Sequence, residues 1–475
     1  MTRKLFISAL LALATTATVH AGGLMTNTNY HIAFDRMFAR GASTEIDAAY
    51  SNPAGLAWGH EGFQFSLNFQ KPWQYRNIEL TTPAGSHTYE GKASAPVVPA
   101  LFASYKKDRW ALSTMIGIVG SGGFVEYKEG VPMFNALLGG TITTLTQGLS
   151  EATGGATSVV TPDQYDAEMK GKQYIYGGQL NFTYKIVDCL SAAVGIRANY
   201  YDGYYRGHVM AAKSNMGELA NLSLDVDQKG WGFTPLVSVA YHKGPLTLTA
   251  RYEFCTKIET TNETNSLNAN LNTDKLVTEP LTQLVVAGAI TPAQAQAIGQ
   301  GIQQKMSGGF SAYTAPYEDG AKTRYDMPAM LSIAAGYEFN KNLRAALEYH
   351  FFDDKNAQMA NDRQKELTHG THEFLAGVEW DINDKFTVSC GGQRTDYGLS
   401  DGYQSNTSFA CDSYSVGCGG AWNISDKMRL NVSYFCTLYS DYTKAQNQYQ
   451  GLPYAGTDVY SRTNHVIGVG LDYKF

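Results

Sequence analysis

Past its first twenty-one residues, the chain has no apolar run that escapes interruption by charged or amide side chains. A membrane-crossing helix, which needs roughly 20 consecutive apolar residues, is therefore excluded there. Cysteine offers little: Cys189, Cys255, Cys390, Cys411, Cys418 and Cys436 make neither a CxxC pair nor a Cys/His cluster at metal-ligand spacing, so no structural metal is expected. No cofactor motif is evident. Basic blocks are missing and the formal net charge is -6, which argues against nucleic acid as a partner. Proline is scarce, at 14 of 475 residues. What the chain has instead is Gly, Tyr and Phe (48, 31 and 21 residues), a balance suited to short alternating strands rather than a helical bundle.

The beginning reads as an export signal over 1–21. Arg3 and Lys4 precede an apolar stretch from Leu5 to Ala17, and Val19-His20-Ala21 gives a small-x-small cleavage pattern. An exported chain permits disulfides, but Cys390, Cys418 and Cys436 fall on the apolar face of strands, where a thiol behaves as a small hydrophobe. Pairing of Cys390 with Cys418 stays open.

The dominant signal has period two. From Gln173 to Lys185, Tyr174, Tyr176, Leu180, Phe182 and Tyr184 fall on one side, and Gly177, Gln179, Asn181, Thr183 and Lys185 on the other. Strand side chains alternate between faces, so one face would meet lipid and the other a polar lumen. The pattern recurs in fourteen segments. The third carries Trp110, Leu112, Ile116 and Ile118 outward, and the eighth Met327, Leu331, Ile333, Tyr337 and Phe339. The opposite face carries Arg197, Arg251, Glu253, Arg344, Glu348, His350, Glu379 and Arg429. Tight polar turns at Lys107-Asp108, Val187-Asp188, Lys243-Gly244, Asn340-Lys341-Asn342, Asn383-Asp384 and Ser425-Asp426 fall at alternate connections. Short periplasmic turns alternating with longer extracellular loops characterise outer-membrane barrels. A soluble sandwich would share the two-faced strands, but not the turn rhythm and export signal together. The fold class expected is all-β, a fourteen-stranded antiparallel transmembrane barrel over 62–475. The terminal strand closing on Phe475 resembles the signal read by the barrel-assembly machinery. Residence in the outer membrane, among its lipids and as a monomer, is the corresponding expectation.

Three segments lie outside this wall. Residues 22–61 read either as a periplasmic tail or, preferably, as a plug whose Arg36, Arg40, Glu45 and Asp47 pair with lumenal charges; a barrel this wide without one is an aqueous channel. The loop 120–172 places Phe134, Leu137, Leu138, Ile142, Leu145 and Leu149 at helical spacing, although Gly139-Gly140 weakens the helix. In the loop 259–324, Thr291-Pro292-Ala293-Gln294 reads as a capping box opening a helix with Ala295, Ile298, Ile302 and Met306 on one stripe, preceded by Leu281, Leu284, Val285 and Val286. Either the two loops hide these faces against each other, or they leave an apolar groove that captures solutes.

With Asn52-Pro53-Ala54 just before the first strand, a plug-sized N-terminus, fourteen strands and two long loops, the whole mature chain resembles the FadL/TodX family of outer-membrane transporters. The resemblance implies a passive, non-enzymatic route for long-chain fatty acids or other hydrophobic compounds. Ligand would be captured between the long loops and released sideways where the third strand kinks. Here Gly117, Gly120, Gly122 and Gly123 mark that place, since glycine in a strand signals a bend. A carboxylate head would seek a lumenal cation, for which Arg197, Arg251, Arg344 and Arg429 are candidates; pairing with Glu253, Glu348 and Glu379 is their other reading. A general porin is the first rival. An outer-membrane phospholipase is the second, but Ser440 and His465 lack an evident third partner.

Overall fold

The computed structural model describes residues 24–475, so the export signal lies outside the described residues. Eighteen strand segments form one antiparallel sheet. Four of its strands are interrupted, which makes fourteen strands in all. They are β1 (Gly62–Thr82), β2 (Gly85–Ser94 and Val98–Lys107), β3 (Trp110–Tyr127), β4 (Gln164–Val187), β5 (Leu190–Lys213), β6 (Gly217–Lys243) and β7 (Leu246–Glu253 and Glu259–Leu271). The second half is β8 (Lys322–Arg324 and Met330–Asn340), β9 (Leu343–Phe352), β10 (Thr371–Asp381), β11 (Phe386–Asp396), β12 (Ser413–Ser425), β13 (Met428–Tyr439 and Tyr442–Gln446) and β14 (Gly456–Lys474). The sheet closes because β1 pairs with β14, from Gln64 opposite Lys474 to Thr81 opposite Thr457. Closure leaves no lipid-facing strand edge, as a membrane barrel requires.

The alternation read from the sequence is the alternation of the wall. Leu347, Trp231, Phe233 and Leu180 are between 58% and 65% exposed on the outside, while Asn181, Arg197, Asn199 and Glu379 are at most 1% exposed within. Two residues break the pattern: Ile118 and Met327, expected outside, are 7% and 1% exposed. Each sits beside an irregularity that rotates the side chains. β3 shifts register between Ile118 and Gly120. Met327 lies in the interruption of β8, bridged only to Thr256.

The long loops are shorter than expected because strands continue into them. β3 runs to Tyr127 and β4 begins at Gln164, while β7 extends to Leu271 and β8 starts at Lys322. β4, β5 and β6 have 24, 24 and 27 residues, whereas roughly 10 tilted residues span the hydrocarbon. One side of the barrel therefore rises as a collar on the extracellular side. Within the loops stand α3 (Pro132–Ala152), α4 (Glu279–Val286) and α5 (Pro292–Thr314). α3 passes through Gly139-Gly140: a side chain on Gly139 would meet the Tyr165 hydroxyl at 2.4 Å and one on Gly140 the Leu452 side chain at 2.7 Å. Close packing accounts for the glycines.

The segment ahead of β1 carries two short helices, α1 (Ile32–Met37) and α2 (Ala48–Ser51), then a 3₁₀ turn at Pro53–Trp58. Almost all of it is buried.

Candidate functional site

The N-terminal segment is fastened to the inner face of the wall by its own polar groups. His31 contacts Ser66 and Asp472, each at 3.1 Å. Arg36 bonds Glu379 and reaches Ser389 at 2.7 Å. The backbone amides of Arg40 and Gly41 donate to Glu348 at 2.9 and 2.7 Å. Gln179 and Asn181 both donate to the Ala49 carbonyl, at 3.1 and 2.9 Å. A buried backbone group without a partner costs free energy, and the lumen face supplies one at Arg40, Gly41 and Ala49.

Asn52-Pro53-Ala54 seats on β4, β5 and β6. Thr183 donates to the Pro53 carbonyl at 2.8 Å, Ser191 to the Ala54 carbonyl at 2.7 Å, and the Ala54 amide to Ser238 at 3.1 Å. Pro53 opens the 3₁₀ turn, where a missing N–H is harmless. Ala54 packs on Ala193 and Ala240 with Trp58 at the edge. The Asn52 side chain is 1% exposed, and neither of its amide atoms has a hydrogen-bond partner.

The four lumenal arginines expected to meet a ligand head group are engaged elsewhere. Arg197 meets Glu253 at 2.5 Å, and Arg251 lies over the Tyr50 ring at 4.5 Å while donating to the Tyr50 carbonyl. Arg344 binds Glu379 and, at 2.7 Å, Asp381; Arg429 binds Glu45 at 2.6 Å. Removal from water makes a lone charge prohibitive, and the paired reading prevails. Around Glu45, burial works against ionisation, but Arg429 and Arg40 hold its carboxyl well below the usual range. These pairs line a polar vestibule of about 700 Å³ at the periplasmic end, with Arg40, Glu45, Arg344, Asp381 and Arg429 in its wall. Arginines not anticipated from sequence stand higher up: Arg76 and Arg462 face each other on β1 and β14. Arg76 donates to the Phe409 carbonyl at 2.8 Å, and Arg462 lies over the Tyr439 ring at 4.6 Å. Only the β1–β14 register, invisible in sequence, brings these two together.

At the extracellular end the apolar residues of α3 and of the 272–321 loop are brought together. Phe134, Leu138, Ile142 and Leu145 are buried in one cluster with Leu276, Val277, Leu281 and Ile302, against Tyr89, Tyr127, Met169, Val209 and Leu222 of the collar. Leu137 and Ile298 pack on its margin; Leu284 and Val285 are half-buried. The expected open groove is thus filled by its own walls, since apolar faces leave water wherever they can meet. A crevice of about 20 Å³ remains beside Phe134, Met169, Val209 and Leu222. The capping box forms as read: the Gln294 amide donates to the Thr291 hydroxyl at 3.2 Å, and the Thr291 amide to the Gln294 side chain at 2.8 Å. Met306 lies outside the described side chains.

The wall is discontinuous between β2 and β3. Pairing runs from Lys107–Trp110 to Leu101–Ile116, and resumes from Ser94–Phe124 to Gly91–Tyr127. Among the described residues no ladder joins 95–100 to 117–123. β3 there carries register shifts between Ile118 and Gly120 and between Ser121 and Gly123. It turns inward, where the Asn27 amide donates to the Val119 carbonyl at 3.1 Å and the Asn27 side chain to the Ile118 carbonyl at 3.2 Å. Glycine is required at this contact: a Cβ on Gly120 would lie 2.3 Å from the Met25 carbonyl, and Gly123 has φ +142°. Ala95, Val98, Ile118 and Tyr174 border the break.

His465, a residue of the phospholipase alternative, contacts the Tyr434 hydroxyl at 2.9 Å and stacks on Trp73, not on Ser440. Cys390 and Cys418 stand opposite one another on β11 and β12 as exposed free thiols.

A family model described as the outer membrane protein beta-barrel domain matches residues 282–475. A solved Pseudomonas aeruginosa FadL homologue superimposes with TM-score 0.60 at 12% identity, over 95% of this chain and 98% of that one. The chain is a fourteen-stranded β-barrel with the FadL/TodX fold, and its second half matches the outer-membrane barrel domain. The P. putida toluene transporter TodX gives TM-score 0.52 at 14% identity, over 92% and 98% of the two chains. A TodX deltaS2S3 mutant, described as a monoaromatic hydrocarbon channel, gives 0.54 at 14% identity, over 94% and 99%. No curated protein matches the sequence.

Proposed function

We propose that this FadL/TodX-fold barrel is a passive channel for hydrophobic small molecules, long-chain fatty acids or comparably apolar compounds, and that residues 22–61 are its plug. Solute enters the apolar cluster at the mouth, passes down the collar, and leaves sideways into the membrane between β2 and β3. The observation that carries this reading is the 95–100/117–123 break in the wall, set above a periplasmic end closed by ion pairs. A fatty chain gains roughly 0.8 kcal/mol per methylene removed from water. A route through the charged vestibule forfeits that gain, whereas a lateral exit keeps it. Its structural neighbours, a FadL homologue and a toluene transporter, agree with a non-enzymatic route for an apolar cargo.

The test pins the break. A Cβ on Gly117 would sit 3.5 Å from that of Ala100, within the range that a disulfide needs. In a Gram-negative host lacking its own fatty-acid channel, the double variant Ala100→Cys/Gly117→Cys is expected to lose uptake of a labelled fatty acid when oxidised and regain it on reduction. Unchanged uptake by the oxidised protein sinks the lateral route, and equal permeation of sugars and fatty acids would favour a general porin.

A further inference from the structure

Beside the break, one cross-strand row of the inner wall carries buried amides where the rows above and below carry aliphatic side chains, glycine and the tyrosines Tyr205 and Tyr201. Gly123 of β3 lies opposite Gln173 of β4, Gln173 opposite Gly203 of β5, and Gly203 opposite Gln228 of β6. Gln173 is 0% exposed and neither its Nε2 nor its Oε1 has a hydrogen-bond partner. Gln228 is 2% exposed; its Nε2 donates to Asn262 at 2.8 Å, but its Oε1 has no partner. Toward the mouth, Val125, Val226 and Met169 belong to the apolar cluster of the collar. Toward the plug, Val119, Ile175, Tyr201 and Met25 belong to a second one. On the proposed route these amides lie between the first cluster and the break.

A buried amide that bonds nothing is costly, and a native wall seldom keeps three such atoms in one row without a use for them. The glycines on either side of Gln173 carry no side chain that could satisfy it. Two carbonyl oxygens and one NH₂ group ask for a ligand group that both donates and accepts. A carboxylate only accepts and a hydrocarbon does neither, whereas a hydroxyl, a phenol or a protonated acid fits both needs.

We infer that Gln173, with Gln228, is the specificity-determining element of the passage, and that it selects amphiphiles bearing a neutral hydrogen-bonding head over bare hydrocarbons. This rests on the transport reading above. The rank order it sets for equal chain lengths is alcohol above alkane, with the carboxylate gaining less than the alcohol.

Equilibrium binding of labelled dodecanol, dodecane and dodecanoate to the purified full-length barrel in detergent tests it. Loss of two hydrogen bonds predicts that Gln173→Leu lowers the dodecanol-to-dodecane affinity ratio by about thirtyfold. Gln228→Leu removes only the alternative acceptor for the one hydroxyl proton and is expected to lower it less than Gln173→Leu does, by at most about fivefold. Dodecane binding itself should hold or improve in both. Gln173→Met serves where the Leu variant fails to show heat-modifiable migration. A ratio unchanged by Gln173→Leu or Gln173→Met means that the amides serve only structural water, and overturns the inference while leaving the channel in place. If the wild type binds none of the three, the transport reading falls and this one with it.

Discussion

The two ends of the lumen are closed by opposite kinds of chemistry. Toward the periplasm, Arg36, Arg344 and Arg429 of one set meet Glu379, Asp381 and Glu45 of the other, joined by Arg40 with Asp47. Toward the outside, Ile142, Leu138, Leu149, Leu276 and Val277 meet collar residues with no directional bond among them. Ion pairs hold one geometry and are costly to part once dehydrated. Apolar contacts are non-directional, so helices can slide, admit a chain and close again at small cost. The lower closure resists parting more than the upper one does, in keeping with the proposed route, which enters at the mouth and leaves above the ionic lattice.

The largest effect is expected from unbalancing the lower closure. Glu379 is fully buried and serves Arg36 and Arg344 together. Glu379→Gln leaves those guanidiniums short of a counter-charge, at a cost of about 3–5 kcal/mol. The temperature at which the band shifts on heat-modifiable gels should fall, and sucrose should enter proteoliposomes faster. Ile142→Ala, in the upper closure, removes comparable stability through a cavity, about 2–5 kcal/mol. It should leave sucrose exclusion intact. Equal leakage from both variants would erase the distinction between the two ends.

The sequence disclosed the parts of this molecule that obey a local rule. Alternation at Tyr174, Tyr176, Leu180 and Phe182 follows from the pleat, and the turn at Lys243-Gly244 from a glycine at φ +59°. Asn52-Pro53-Ala54 and the Thr291–Gln294 box are likewise short-range. What could not be read is whatever depends on register. Arg76 meets Arg462, and Gln173 aligns with Gln228, only because strands far apart in sequence pair in one particular frame. For the four lumenal arginines the sequence left a head group or pairing with Glu253, Glu348 and Glu379 open; Arg197 and Arg344 take Glu253 and Glu379, whereas Glu45, the partner of Arg429, is distant along the chain and was not among the carboxylates foreseen for it. Ile118 and Met327 failed for the complementary reason. Period two holds only where a strand is unbroken, and both sit where it is not.

A smaller effect concerns the junction between the two ends. Asp354, in the connection after β9, is 0% exposed and accepts from the Thr371 hydroxyl at 2.5 Å and from the Leu24 backbone. Burial pushes its carboxyl up to about 7, against an ordinary value of 3.8. A raised carboxyl means that the folded state binds the proton more tightly than the unfolded one. Its contribution therefore improves as pH falls through about 7 and is lost above it. Protection factors across Leu24–Asn29, with the intrinsic pH dependence of exchange divided out, should be higher at pH 5 than at pH 8 in the wild type, and Asp354→Asn should abolish that difference. A persisting difference in the variant would assign the pH response to another group.

The smallest effect isolates the upper closure from the barrel that carries it. Thr291→Ala removes the hydroxyl that caps α5 at the Gln294 amide. Loss of such a cap costs about 1 kcal/mol, felt by the helix and not by the strands. Hydrogen exchange in the first turn of α5, from Pro292 onward, should rise several-fold while the heat-modifiable transition stays where it is. Because Ala295 of that turn and Ile298 of the next pack on the apolar cluster, the fraying should also lower the barrier to admitting solute and speed uptake slightly. A slower uptake with the same fraying would mean that the helix must be intact to guide the ligand, and the mouth would then be a template and not a yielding lid.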